Sequence, residues 1–208
     1  MTDSVIIAPE RDDDQLDEPL SLGIMASGQG SNFVAIADAI AHGQLNAEIK
    51  GVIYNKPQAQ VREKAEHLGI PAILCNHRDS ATREAFDQVL VDTLNAQQVQ
   101  WVIMAGWMRV VTPVLIDAFP DRLINIHPSL LPSFKGINAV EQALAAGVKI
   151  AGCTVHLVRP EVDSGPILMQ AAVPVLEGDT TETLHQRIQV QEHKILPRAI
   201  AIAAQNER

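Results

Sequence analysis

Leu22-Gly23-Ile24-Met25-Ala26-Ser27-Gly28-Gln29-Gly30-Ser31-Asn32 is an apolar run that closes in a glycine-rich turn. A helical pattern follows from Phe33 to about His42, with Gly43 as its stop. A buried strand, a tight turn and a helix in that order open an α/β sheet. The alternation recurs downstream. Strands are expected at Ile49–Tyr54, Ala72–Cys75, Trp101–Ala105 and Leu123–Ile126. Between them, helices are expected at Val61–Leu68, Arg83–Leu94, from Thr112-Pro113 onward, and at Val140–Ala146. The fold class is therefore α/β: a mostly parallel, Rossmann-like open sheet with helices on both faces. Two later apolar runs, Cys153–Val158 and Ile167–Val175, have no helix-length segment between them, which predicts an antiparallel edge near the C-terminus. Asp179-Thr180-Thr181-Glu182 reads as a capping box for a long final helix, which Pro197 should kink or split.

Hydrophobic residues make up 47% of the 208-residue chain but aromatics only 3%, so the core must be built from aliphatic side chains. Net charge is −9. Residues 1–20 hold seven acids (Asp3, Glu10, Asp12, Asp13, Asp14, Asp17, Glu18) against Arg11, a net −6. This segment reads as an acidic arm without ordered structure, its one apolar stretch at Val5–Ala8 being short. Docking of the arm on the domain through Val5–Ile7 is the alternative. Residues 21–208 then form a single domain. Without a basic stripe, a membrane-length apolar run or a secretory signal, the chain is expected to bind neither nucleic acid nor membrane, and to be cytoplasmic. Cys75 and Cys153 stand far apart outside any metal-ligand spacing and read as buried apolar residues.

Converging N–H groups and a helix N-terminus make Ser27–Asn32 an anion site, most naturally for phosphate. It is not a dinucleotide fingerprint, because Phe33 takes the third glycine position and Asn55 stands near where an acidic ribose ligand belongs. A tight turn that merely requires glycine is the plainer reading.

Asn125 and His127 project to one face of a strand, at the end where open α/β sheets place their ligands. An amide donor beside an imidazole suits acyl transfer: one holds a developing oxyanion, the other moves a proton. Pro128 and Pro132 then fix the following loop. His156, on a late strand, is either a supporting residue or a core histidine. Asp163, in the loop Arg159–Pro166, could pair with His127 and favour its imidazolium, or could be a solvated loop acid.

These motifs together resemble the phosphoribosylglycinamide formyltransferases. The likeness is carried by Ala26–Asn32, by Gly106-Trp107-Met108-Arg109, by Asn125-Ile126-His127-Pro128-Ser129-Leu130-Leu131-Pro132, by Asp163-Ser164-Gly165-Pro166 and by Gln189-Val190-Gln191-Glu192-His193. It covers the chain from Ser21 onward. The resemblance implies a catalytic trio of Asn125, His127 and Asp163. It implies phosphate binding by Gly30, Ser31 and Asn32, and contact with the ribose side of the acceptor by Gln189 and Glu192. Arg83, Met108, Arg109, Val110, Val111 and Asn125 would line the site for 10-formyltetrahydrofolate, the cosubstrate, with Arg159–Asp163 closing over its pterin. It also implies a cis peptide at Leu131-Pro132, no metal, and small-molecule substrates as partners, with a homodimer allowed. Two features depart from the family pattern: Ser133–Asn138 replaces a Tyr-Pro-Gly segment, and Trp107 stands where Phe is common. Formyltetrahydrofolate hydrolases and methionyl-tRNA formyltransferases share the Asn-x-His-Pro string but carry extra domains for which this chain has no room. A non-catalytic phosphoribosyl-binding module is the alternative of a different class.

Overall fold

Each β-α unit read along the chain takes its place in one eight-stranded sheet. The structure, a computed structural model, describes residues 5–9 and 18–206. In chain order the strands are β1 (Ile6–Ala8), β2 (Leu20–Ala26), β3 (Ala47–Tyr54), β4 (Ala72–Leu74), β5 (Trp101–Met104), β6 (Leu123–His127), β7 (Ile150–Leu157) and β8 (Ile167–Pro174). The helices are α1 (Ser31–Ala41), α2 (Val61–His67), α3 (Arg83–Ala96), α4 (Pro113–Ala118), α5 (Ala139–Ala145) and α6 (Thr181–Asn206). Across the sheet the order is β1-β8-β7-β6-β5-β2-β3-β4. Strands β4, β3, β2, β5 and β6 run parallel, whereas β7, β8 and β1 add antiparallel pairs at the other edge.

Side-chain alternation divides the apolar residues between two layers. Leu22, Ile24 and Ala26 point to the side covered by α1 and α6, where Phe33, Ile36, Leu184 and Ile188 complete the core. Met25, Ile53 and Val102 point to the opposite side, against Phe86, Leu90 and Leu94 of α3 and Leu115 of α4. Both cysteines are free and buried. Among the described residues no helix is long and apolar enough to cross a membrane.

Three local expectations are corrected. Residues Ile6–Ala8 form a strand paired antiparallel with β8, Ile7 opposite Ala171, where the acidic arm was expected to lack structure. Strand β8 would otherwise be a long open edge, and Ile7 gains apolar contact on the α6 side of the sheet. The acidic run 10–17 lies outside the described residues. Helix α6 continues through Pro197 without splitting. Proline removes one hydrogen bond, to the His193 carbonyl, but Ile195, Leu196, Ala199 and Ile200 are fully buried on either side and hold both halves in the core. The capping box is shifted by one residue. The Thr183 amide donates to the Thr180 hydroxyl (3.3 Å) and the Thr180 amide to the Thr183 hydroxyl (2.9 Å). Asp179 is left to accept two bonds from the Arg187 guanidinium, which holds its carboxyl well below the usual carboxylate range.

Candidate active site

The parallel-to-antiparallel switch between β6 and β7 builds the centre. Asn125 pairs with His156 across that ladder, and His127 with Thr154. The Asn125 amide nitrogen lies 3.1 Å from Nε2 of His156, and Nδ1 of His156 lies 2.9 Å from the Leu157 carbonyl. A carbonyl only accepts, so Nδ1 of His156 donates to Leu157, and Nε2 is left facing both the Asn125 amide and Asp163. That contact orients the Asn125 amide at the end of β6. On His127, Nε2 donates to the Phe134 carbonyl at 2.9 Å, and Nδ1 faces Oδ2 of Asp163 at 3.5 Å.

Asp163 bridges the two imidazoles. Its Oδ1 is 3.6 Å from Nε2 of His156, and its Oδ2 accepts from the Gly136 N–H at 2.8 Å. Burial alone would raise the pKa of this carboxyl, but His156, the Gly136 amide and His127 outweigh it, and the net shift is downward. Loop geometry delivers the residue there. Asp163 has a left-handed backbone (φ 48°). Two residues on, Gly165 packs so closely that a Cβ would lie 1.7 Å from the Leu157 carbonyl. The chain can fold back onto β7 only because that position has no side chain.

The glycine-rich turn meets α6. Gly30 adopts φ 72° as the cap of α1, and a Cβ there would strike Val61. The Gln189 amide donates to the Ser31 hydroxyl at 2.9 Å, and the Asn32 amide to Oε2 of Glu192 at 3.0 Å. Gln189 and Glu192, three residues apart, share one face of α6. Burial pushes the Glu192 carboxyl up, against the opposing pull of Asn32, His185 and His127.

A third surface lies after β5. The Met108 amide donates to the Ser27 hydroxyl at 2.9 Å. Trp107 stacks parallel to Phe86, with ring centroids 6.2 Å apart, and the Arg109 guanidinium lies 5.3 Å from the Phe86 centroid. Met108 and Val110 are exposed, whereas Val111 is turned into the core between α3 and α4. Arg83, the first residue of α3, is exposed. A groove of about 880 Å³ between α1 and α6, lined by Asp38, His42, Lys64, His193 and Lys194, shares only Ser31 with this constellation. The chemically equipped surface is the sheet crest, not that groove.

Residues 22–200 match the family model described as formyl transferase. The phosphoribosylglycinamide formyltransferase of Bacillus subtilis is 43% identical over 177 residues, which span 85% of this chain and 91% of that protein. The chain belongs to the phosphoribosylglycinamide formyltransferases. Its Escherichia coli relative of the same name is 37% identical over 88% of this chain and 86% of that one. The glycinamide ribonucleotide transformylase 1 structure from Symbiobacterium toebii superposes with a TM-score of 0.90 at 44% identity, covering 92% of this chain and 90% of that one. The trifunctional purine biosynthetic protein adenosine-3 of Bos taurus is 44% identical over 183 residues, and the matched region spans only 18% of that longer protein.

For a formyltransferase, the structure brings Asn125, His127 and Asp163 together and adds His156 as the residue between amide and carboxylate. The expected cis peptide is present at Leu131-Pro132. Two further members of the centre, the Phe134 carbonyl and the Gly136 amide, are backbone groups with no signature in side-chain identity. Three left-handed residues, Phe134, Gly136 and Asn138, turn that loop so that its peptide groups face the site.

Proposed function

We propose that this chain transfers the formyl group of 10-formyltetrahydrofolate to the amine of 5'-phosphoribosylglycinamide in de novo purine synthesis. The observation that carries the reading is the buried carboxylate of Asp163 set between His127 and His156, with Asn125 beside them. In this reading the neutral amine attacks the formyl carbon, a C–N bond forms, and the carbonyl electron pair moves onto oxygen. The Asn125 amide and a protonated His127 stabilise that oxyanion. Collapse re-forms the carbonyl and breaks the bond to N10. The proton that the attacking nitrogen gives up replaces the one delivered to N10, with His127 or a water held by Asp163 as carrier.

The acceptor phosphate docks at Gly30, Ser31 and Asn32, on the amides that open α1. Gln189 and Glu192 contact the ribose side. The donor lies along Met108–Val111 and Arg83, with residues 159–163 closing over its pterin. The chain works in the cytoplasm on small-molecule substrates, with β1 of the N-terminal arm part of the same sheet.

The test is tetrahydrofolate release from 10-formyltetrahydrofolate with phosphoribosylglycinamide, with methionyl-tRNA and with no acceptor. Release dependent on phosphoribosylglycinamide is expected. Equal release without acceptor would make the chain a hydrolase, and release only with methionyl-tRNA would reassign the acceptor.

A further inference from the structure

Asn55 follows the last residue of β3 and is 1% exposed, yet neither its amide nitrogen nor its amide oxygen has a partner among the described residues. A buried primary amide offers two donors and an acceptor, and such groups in folded proteins are bonded to protein, water or ligand. Alternation carried one residue past Tyr54 puts Asn55 on the face of Ile53, in the layer that holds Cys75, Phe86 and Trp107. The same layer holds a second orphan: Nε1 of Trp107 is buried and also without a partner. Contacts connect the two residues. Nδ1 of His77 lies 3.2 Å from the Asn55 carbonyl, the His77 ring meets the Phe86 edge at 6.2 Å, and Phe86 stacks on Trp107. Ser27 lies between them in the strand order: Ala26 is paired with Tyr54, and the Ser27 amide donates to the Gly106 carbonyl at 3.1 Å.

We propose that Asn55 is a positioning residue for the donor half of the site, linked through an ordered water to the indole N–H of Trp107. The link holds the turn at Gly106–Met108 against the turn at Ser27. It rests on the reading that Met108–Val111 line the donor site. A water is the group that satisfies both orphans at once, since it accepts from the indole and exchanges hydrogen bonds with the amide. A Phe at position 107 would keep the stack on Phe86 and lose this bond. Trp107 and Asn55 thus form a pair particular to a chain with an indole there.

The experiment uses Asn55→Leu, Trp107→Phe and the double variant in the full chain. The readouts are KM for each substrate, kcat, and the indole N–H resonances of the two tryptophans, assigned by the Trp107→Phe spectrum. Each single variant should raise donor KM about three- to tenfold, the scale of one or two neutral hydrogen bonds, with kcat and acceptor KM kept within twofold. The double variant should be no worse than the worse single one. The Trp107 indole N–H should shift and exchange faster in Asn55→Leu, while that of Trp101 stays. An unchanged Trp107 resonance, or additive effects on donor KM, would overturn the link. If Asn55→Leu does not fold, a donor KM in Trp107→Phe equal to that of the parent overturns it alone. A shifted indole resonance with unchanged donor KM would keep the contact and remove Met108–Val111 from the donor site.

Discussion

Oδ2 of Asp163 lies 3.5 Å from Nδ1 of His127, and both side chains are more than nine-tenths buried. The carboxylate faces one ring nitrogen and the Phe134 carbonyl the other, and in the proposed mechanism the two side chains act as a unit. His127→Ala should lower turnover by about two to four orders of magnitude, the range for loss of a general acid–base group. Asp163→Asn should lower it by a similar amount, and the double variant should be little worse than either. Steady-state kinetics on all three decides the matter. Multiplicative losses would show that the residues work independently.

Acid should expose the same pair in stability. The folded protein holds the Asp163 carboxyl below its ordinary pKa, so folding favours the ionised form. That contribution is complete above the ordinary carboxylate range and is lost as pH falls through the folded-state value. Between about pH 5 and pH 2, the parent should lose more stability than Asp163→Asn, and thermal melts of the two should converge toward the acid end. Parallel melting curves across that window would show that the charge does not contribute.

Glu192 has the opposite sign. Burial raises its carboxyl pKa, so the folded state takes up a proton more readily than the unfolded chain. Stability is then lost as pH rises from the ordinary carboxylate value through the folded one. Glu192→Gln keeps an oxygen for the Asn32 amide and removes the charge. It should melt higher than the parent at neutral pH and no higher at pH 4, while acceptor KM rises at least severalfold. A lower melting temperature at neutral pH would mean that the ionised carboxylate is the form folding prefers.

Removal of residues 1–9 takes away β1 and bares the edge of β8. The loss of Ile7 contacts and a short ladder should cost about 1 kcal/mol, or a few degrees in melting temperature, with formyl transfer unchanged. A fall in turnover matching the fall in stability would connect this edge to the site.

Much of this architecture is legible in the residues themselves, and the exceptions share a cause. Asn125 and His127 could be assigned to one face because strand alternation is local. The parallel sheet and its antiparallel edge follow from the lengths of the connections. What the sequence does not carry is the meeting of distant segments. Asp163 was readable as an acid in a turn, but its place between two imidazoles depends on the fold-back at Gly165. His156 alternates like a core residue, and only the β6–β7 register sets it opposite Asn125. Pro197 does not split α6, because burial on both sides opposes its local preference.

Helix α6 joins two kinds of work. Its middle turns present Gln189 and Glu192 to the turn at Ser31 and Asn32, and its last turns, from Ala199 to Ala204, are buried. Backbone amides there are expected to exchange slowly if the buried end opens only with the core around it. A molecule bound at the middle turns, as proposed, would slow such opening by the factor its binding adds to the folded state, about 100-fold when present at 100 times its dissociation constant. The far end of the helix would then serve as a gauge of occupancy at its middle, readable by hydrogen exchange without any turnover.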